Sequence, residues 1–343
     1  MNGVFTDKTI LITGGTGSLG KVLVRRILRE EMGRPRKVII FSRDEAKQHD
    51  MRLHYETQQA ATEEIIYHNY THLLQFRIGD IRNYHSVCSV LRDADIVINA
   101  AALKQVPSCE YFPYEAVETN ITGAQNIITA IRENNFPIQT VVGVSTDKAV
   151  KPVNVMGMTK AIQERVFINA NITCPQTRFI GVRYGNVLAS RGSVVPLFKE
   201  QIKAGGPVTI TTRDMTRFLL PLDKGVDTIF AAIHFAYPGE IFIPQVPAAR
   251  MIDVAEVLIG DKDIKIKETG IRPGEKIHEV LVSEEEAFRT TTRENYYAIS
   301  SMLPEIASPV KEPILGRAYS SNDFLMTKEE TWRLFNNNNL LED

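Results

Sequence analysis

The stretch Thr9-Ile10-Leu11-Ile12-Thr13-Gly14-Gly15-Thr16-Gly17-Ser18-Leu19-Gly20 restricts the fold more than any other part of the chain. A short apolar run at 9–12 reads as a buried strand and gives way to a glycine cluster. An amphipathic run follows over 21–30, with Val22, Leu23, Ile27 and Leu28 on its apolar side. Glycine at such a junction permits a tight turn, lets backbone N–H groups approach a pyrophosphate, and allows close helix–strand packing. A glycine-rich loop alone is a weak signal. Between a strand and a helix at the start of a chain it predicts a dinucleotide-binding unit, with Gly14, Thr16, Gly17, Ser18 and Leu19 as the phosphate-side residues. The plain alternative is a tight strand–helix turn and nothing more.

Further buried-strand patterns at 37–41, 74–78, 95–99, 140–144 and 177–183 alternate with helical segments. That alternation predicts an α/β chain with a doubly wound, parallel Rossmann sheet. Beyond 187 the chain changes character, with short strands at 208–211 and 241–244 and a turn at Arg272-Pro273-Gly274-Glu275-Lys276. We therefore expect residues 1–187, with a contribution from 219–243, to form the nucleotide-binding domain. Residues 188–330 are expected to form mainly a smaller α+β substrate-binding lobe, and 331–343 a terminal helix and tail. The helix is read over 327–335, 336–339 as disordered tail, and 304–317 as loop.

A length of 343 residues suits such a two-part chain. Its net charge of −1 argues against a nucleic-acid or membrane-surface role, both of which usually leave a basic excess. No apolar run approaches the roughly 20 residues needed to span a bilayer, and Asp7 and Lys8 before the first strand do not suit a signal peptide. Cys88, Cys109 and Cys174 stand far apart without metal-ligand spacing, so free thiols in a reducing, cytoplasmic setting are expected. The polar stretch 53–75 reads as a helical insertion on the domain edge or an oligomer contact. Its His68 and His72, at i, i+4 spacing, read as surface histidines with no metal.

The strand ends supply the candidate site. The second strand runs into Ser42-Arg43, with Lys47 one helical turn on. A hydroxyl and two cations suit a 2′-phosphate where an NAD site usually has an acidic residue, so NADP is expected. Otherwise Arg43 and Lys47 are solvated charges at a helix start. Asp80, beside Ile81, can accept from an adenine amino group, and the small side chains of Ala100, Ala101 and Ala102 let a nicotinamide ribose approach the backbone. Lys104 follows where cofactor and substrate would meet, and Asn120 lies inside a helix read over 114–132, with either a tertiary role near the cofactor or a solvated face. The fifth strand stops at Ser145-Thr146-Asp147-Lys148, which sets hydroxyl, carboxyl and amine at the edge where open α/β sheets bind ligands. Met156 and Lys160 share a face of the next helix, and Lys160 suits the nicotinamide ribose.

These segments resemble the extended short-chain dehydrogenase/reductase family. The resemblance rests on Thr13 to Gly20, Ser42-Arg43-Asp44-Glu45, Ala100 to Lys104, Ser145 to Lys148, Arg183-Tyr184-Gly185-Asn186, Ser190-Arg191-Gly192-Ser193, Met215-Thr216-Arg217-Phe218 and Arg272 to Lys276. Within that family they are similar to the soluble UDP-N-acetylglucosamine 4,6-dehydratases that also invert carbon 5. The wider family has tyrosine where this chain has Met156, as some dehydratases of the subgroup do. A thioether cannot exchange a proton, so Thr146, Lys148 or a water takes the tyrosine's place, or activity is lost; we favour replacement.

The resemblance implies a reaction with zero redox balance. Hydride passes from carbon 4 to NADP, the ketone acidifies carbon 5, the carbon-6 hydroxyl leaves, and hydride returns to carbon 6. It also implies Lys148 as base, Asp147 as acid and Thr146 as partner of the carbon-4 oxygen. Side by side, however, the acid and the amine each favour the other's charged form, against the desolvating effect of a bound sugar. Arg217 and Arg272 are candidates for the diphosphate, and Lys104, Asn186, Ser193, Thr211, Gln245 and Glu275 for the sugar and uridine. UDP-N-acetylglucosamine and a homo-oligomer, hexameric or dimer-based, are the implied partners. The rivals are a UDP-hexosamine 4-epimerase and a non-catalytic NADP-binding protein.

Overall fold

A computed structural model describes residues 3–57, 64–188, 193–308, 310 and 312–341. Ser190, Arg191 and Gly192 of one motif, and Gln58 and Gln59 of the polar insertion, lie outside the described residues. The strands are β1 (Thr9–Thr13), β2 (Lys37–Ser42), β3 (Leu74–Ile78), β4 (Ile96–Asn99), β5 (Thr140–Thr146), β6 (Arg178–Tyr184), β7 (Asn186–Val187) and β8 (Val208–Ile210). They continue with β9 (Thr216–Leu220), β10 (Ile241–Pro244), β11 (Ala248–Arg250), β12 (Ile266–Glu268), β13 (Val280–Val282), β14 (Thr290–Arg293), β15 (Tyr296–Ile299) and β16 (Tyr319–Ser320). The helices are α1 (Ser18–Leu28), α2 (Glu45–Thr57), α3 (Glu64–Leu73), α4 (Tyr84–Leu91), α5 (Val106–Tyr111), α6 (Pro113–Val117) and α7 (Gly123–Asn134). After them come α8 (Val155–Thr173), α9 (Val194–Lys203), α10 (Leu222–Phe235), α11 (Met251–Ile259), α12 (Glu284–Ala287) and α13 (Lys328–Asn337).

Nine strands form one sheet in the order β14-β15-β10-β6-β5-β4-β1-β2-β3. From β10 to β3 every neighbouring pair is parallel. Ile10, Ile12, Ile40, Ile98 and Val142 are buried beneath α1 and α10, while Leu11, Ile39, Val97, Val141 and Phe179 face α4, α7 and α8. Burial on both faces is why these strands read as continuous apolar runs. The chain is of the expected α/β, doubly wound class. A second apolar cluster, including Phe198, Val208, Leu219, Ala255 and Phe335, joins α9, α11 and α13 to the short strands.

Three local readings change, and the insertion takes its expected helical form. The hairpin of β14 and β15, turning at Glu294 with φ 54°, adds antiparallel strands to the main sheet, so 290–299 serve the sheet although they lie within the stretch expected as the lobe. The helix expected over 114–132 is interrupted by a wider, π-type turn at Glu118–Thr122, which turns Asn120 inward. The terminal helix runs to Asn337 from a capping box of Thr327 and Glu330, because Phe335 is fully buried, so Asn336 and Asn337 are helical. The insertion forms α2 and α3, with Tyr55 and Tyr70 stacked at 5.3 Å and Asn69 donating to the Leu28 carbonyl at 2.8 Å. The rings of His68 and His72 lie 4.7 Å apart. Among the described residues no group of side chains could hold a metal, and no helix is long and apolar enough to cross a membrane.

Candidate active site

The carboxyl ends of β1 to β6 gather the expected residues along one edge. Gly14 has φ 68°, and a Cβ there would lie 2.8 Å from the Ala101 backbone, so the glycine turn rests directly on the segment after β4. Thr13 Oγ1 donates to Asn99 Oδ1 at 2.6 Å and accepts from the Ala101 N–H at 3.2 Å, which fixes that segment. The cap position of α1 is Gly17, which has no side chain to offer, and the first turn carries no acidic residue, so the helix dipole there suits an anion.

At the end of β2, Ser42 Oγ accepts from Thr16 Oγ1 at 3.4 Å and from Gln48 Nε2 at 3.0 Å. Arg43 reaches Asp80 at 3.8 Å, and Lys47 pairs with Asp44. Both cations therefore stand at the expected corner, each with an acidic neighbour. Burial raises the Asp80 carboxyl, but Arg82, at 2.7 Å, outweighs it and holds the group below the usual carboxylate range. Asp80, Arg82, Asn83, Tyr114, Glu115 and Glu118 line a groove of about 530 Å³, and Ile81 is buried beneath it. Asn120 is wholly engaged by the protein. It accepts from the Leu103 N–H at 2.9 Å and donates to the Leu103 carbonyl at 3.0 Å and Thr159 Oγ1 at 2.9 Å. It thus ties the segment before the exposed Lys104 to α8.

Beyond β5 the chain makes a single 3₁₀ turn at Asp147–Ala149, capped by Thr146. Asp147 is fully buried; its Oδ1 accepts from Thr146 Oγ1 at 2.8 Å and from Lys148 Nζ at 3.1 Å, and its Oδ2 has no hydrogen bond. Lys148 Nζ also reaches Asn186 Oδ1 at 3.3 Å and Glu279 Oε1 at 3.4 Å. Burial pulls the lysine's pKa down, but the charges of Asp147 and Glu279 raise it on balance. With no sugar over the pair, the neighbouring charges therefore favour the ammonium.

Glu279 is a residue the sequence reading missed. Burial pushes its carboxyl upward against the lowering influence of Lys148, Arg217 and Lys276. The available signal was a carboxylate one residue ahead of the apolar run of β13, where Leu281 and Val282 are buried.

The turn at 272–276 reaches this cluster. Lys276 Nζ donates to the Val150 carbonyl at 2.5 Å and lies 3.9 Å from Glu279 Oε2. Arg217 is buried, and its Nη atoms donate to the carbonyls of Thr216, Ile277 and Lys276 at 2.7, 3.0 and 3.0 Å, so it fastens the turn from behind. Thr211 Oγ1 and Glu275 Oε2 are 3.3 Å apart. Arg272 and Gln245 are exposed, and Ser193 Oγ is buried without a hydrogen bond at the start of α9.

Met156 is buried with Cys109 and Ala116, a packing position. In the same turn Asn154 caps α8 by accepting from the Gly157 N–H at 2.8 Å. A Cβ on Gly157 would lie 2.2 Å from the Lys148 carbonyl oxygen. Lys160 Nζ donates to the Val144 carbonyl at 2.5 Å and to Gln163 Oε1, and burial lowers its pKa to about 8 despite the charge of Glu164.

Behind the edge lies a buried ion cluster. Arg183 donates through Nε and Nη2 to Glu164 at 3.0 and 2.7 Å, through Nη1 and Nη2 to Glu286 at 2.8 and 3.0 Å, and through Nη1 to the Leu281 carbonyl at 2.8 Å. Ser145 Oγ donates to the same Glu164.

Comparison with known proteins adds three findings. Residues 10–301 match the family described as polysaccharide biosynthesis protein. The chain is 44% identical over 302 residues to the UDP-glucose 4-epimerase of Rickettsia bellii (strain OSU 85-389), covering 86% of this chain and 84% of that one. It is 43% identical over 300 residues to the UDP-N-acetylglucosamine 4,6-dehydratase (inverting) of Campylobacter jejuni subsp. jejuni serotype O:2, covering 87% and 84%. The X-ray structure of Pen from Bacillus thuringiensis superposes with a TM-score of 0.87 at 35% identity, covering 98% and 99% of the two chains.

Proposed function

The chain belongs to the polysaccharide biosynthesis protein family, a branch of the extended short-chain dehydrogenases/reductases, and on that premise we propose that it is a UDP-N-acetylglucosamine 4,6-dehydratase that also inverts carbon 5. The product would be UDP-2-acetamido-2,6-dideoxy-β-L-arabino-hex-4-ulose, a precursor for surface sugars. One observation carries this reading: Asp147 and Lys148, an acid and an amine 3.1 Å apart, are held beneath the edge of the sheet where a sugar would lie.

The residues fit NADP. The Gly14 turn leaves no room for a side chain, the cap position of α1 is a glycine, and Arg43 and Lys47 flank Ser42 where a 2′-phosphate would sit. When bound, the nicotinamide would supply reversible hydride transfer at carbons 4 and 6 of the sugar. Thr146 then hydrogen-bonds the carbon-4 oxygen and relays the proton that this oxygen loses to Asp147, at which its hydroxyl is already directed. Lys148 removes the carbon-5 proton as a neutral amine, and Asp147 protonates the departing carbon-6 hydroxyl. Lys160, pinned to the Val144 carbonyl, positions the nicotinamide ribose, and Met156 has no part in proton transfer. Arg272, Glu275 and Thr211 face the nucleotide half, and a cytoplasmic homo-oligomer is the working form in this reading.

A second reading, a UDP-hexosamine 4-epimerase, is favoured by the name of the Rickettsia relative. It has no elimination step and so no need of an acid–amine pair. Proton NMR of a UDP-N-acetylglucosamine reaction in deuterated water separates the two. A new carbon-6 methyl signal with deuterium at carbon 5 is expected; UDP-N-acetylgalactosamine without a methyl signal would overturn the dehydratase reading.

A further inference from the structure

An ammonium has three N–H donors and no lone pair. Lys148 Nζ is surrounded by three acceptors, Asp147 Oδ1 at 3.1 Å, Asn186 Oδ1 at 3.3 Å and Glu279 Oε1 at 3.4 Å. In that arrangement the lysine has no lone pair with which to act as a base. Before it can accept a proton from a substrate it must transfer one of its own to an acceptor.

The acceptors differ in what they can take. An amide such as Asn186 does not accept a proton at neutral pH. Asp147 Oδ1 already receives two hydrogen bonds, from Thr146 and Lys148. Glu279 is 2% exposed, and its Oε2 accepts no hydrogen bond, Lys276 standing off at 3.9 Å. Its charged neighbours are Lys148, Asp147, Arg217 and Lys276. Arg217 has its Nη donors directed at backbone carbonyls, and Lys276 donates to the Val150 carbonyl. Asp147 thus takes two hydrogen bonds on Oδ1 and none on Oδ2, whereas Glu279 meets only Lys148 at 3.4 Å and Lys276 at 3.9 Å, which makes it the less hydrogen-bonded carboxylate. A sugar covering the partly exposed Lys148 would remove it from water.

We propose that Glu279 takes the proton of Lys148 when substrate binds, leaving a neutral amine and a neutral carboxylic acid side by side. This rests on the dehydratase reading for its consequence in turnover. One Nζ–H bond breaks and one Oε–H bond forms, and no electron changes owner. The amine then takes the carbon-5 proton and becomes an ammonium again. The proton on Glu279 passes to carbon 5 or to water before the next turnover, so the pair begins each cycle in the same state. Desolvation favours both neutral groups over the ion pair, which is why covering the site drives the exchange in this direction. Glu279 is a positioning and proton-holding residue acting through Lys148, and the segment ahead of β13 supplies it.

The test uses the full chain loaded with NADPH, which blocks oxidation at carbon 4 and holds UDP-N-acetylglucosamine as a static complex. Infrared difference spectra are taken with and without carbon-13 glutamate. Binding should produce a protonated-carboxyl band that shifts with the label, persists in Asp147→Asn and is missing in Glu279→Gln. With NADP, Glu279→Gln should lower kcat by about 100-fold with KM changed less than about threefold, and Glu279→Asp should recover at least tenfold of that loss. No label-sensitive band in the wild type overturns the proposal. So does Glu279→Gln turning over at the wild-type rate or faster, the outcome if this carboxylate merely keeps the lysine charged. Should Glu279→Gln not fold, the labelled wild-type spectra and Glu279→Asp still decide. If the wild type forms no methyl product, the dehydratase reading fails, while the infrared result still decides the proton transfer.

Discussion

Replacing Arg183 with leucine should cost the fold about 4 kcal/mol at neutral pH and reverse its response to acid. All five guanidinium N–H groups are engaged, four of them by the carboxylates of Glu164 and Glu286, and the side chain is 2% exposed. Burial alone would raise the Glu286 carboxyl, but Arg183 brings it from 4.5 down to about 2. A difference of roughly 2.5 units corresponds to about 3 kcal/mol, in line with the 3–5 kcal/mol that breaking a buried pair costs. Because the folded value lies below the unfolded one, this contribution is complete above about pH 4.5 and is lost as pH falls toward 2. In the leucine variant two buried carboxylates face each other, with Arg289, 3.9 Å from Glu286, and Lys160, which feels the charge of Glu164, as cations that remain. Burial then holds the Glu286 carboxyl above its unfolded value, so acid stabilises the variant relative to neutral pH. Urea unfolding at pH 7 and pH 4.5 reads both effects. With a slope of about 2 kcal/mol per molar urea, the neutral midpoint should fall by about 2 M. A variant within about 0.5 kcal/mol of wild type at pH 7, or one that loses stability in acid as steeply, would refute the argument.

Gly157→Ala places a methyl group 2.2 Å from the Lys148 carbonyl oxygen, a backbone atom with no rotamer to escape into. Shifting the turn by near an ångström should lower kcat about 100-fold, read alongside an unchanged melting temperature within a few degrees. Arg43→Ala and Lys47→Ala should each reduce affinity for NADP by about tenfold and leave that for NAD nearly unchanged, measured by fluorescence titration with both dinucleotides. Lys160, lowered from 10.5 to about 8 by burial, opposes folding while charged. That penalty is present below pH 8 and relieved as pH rises to 10.5, so Lys160→Met should flatten the rise in melting temperature seen over that window.

The glycine turn, the alternating strands and the Asp147–Lys148 pair were legible because each is a local pattern: period, punctuation and adjacent residues. What escaped depends on contacts distant in sequence. Glu279 lies 131 positions from Lys148, and its place ahead of an apolar run marks a strand end without saying which residue it meets. Arg183 reads locally as the last charge of a strand, yet Glu164 and Glu286 allow it to be the largest fully buried side chain among the described residues. For Asn120 the sequence leaves a tertiary role and a solvated face both open; its burial against Leu103 and Thr159 shows the former, through a π-type turn that leaves no trace in helix propensity. Arg217 was read for phosphate; its engagement with the backbone of 276–277 could be seen only once β9 and the 272–276 turn were placed together. The β14–β15 hairpin was overlooked because its Thr-rich strand and Glu-Asn turn sit far from the other sheet-forming segments.

The anchoring of the 276–279 stretch has an evolutionary corollary. Proteins on this scaffold are often imagined as an invariant cofactor half joined to an exchangeable recognition half. Here the lysine from one side and a carboxylate from the other share a single ammonium shell, 3.4 Å apart. Exchanging the latter half for a relative's would alter the acid–base inventory together with the choice of sugar, so a chimera that recognises a new substrate could fail for want of a place to put a proton.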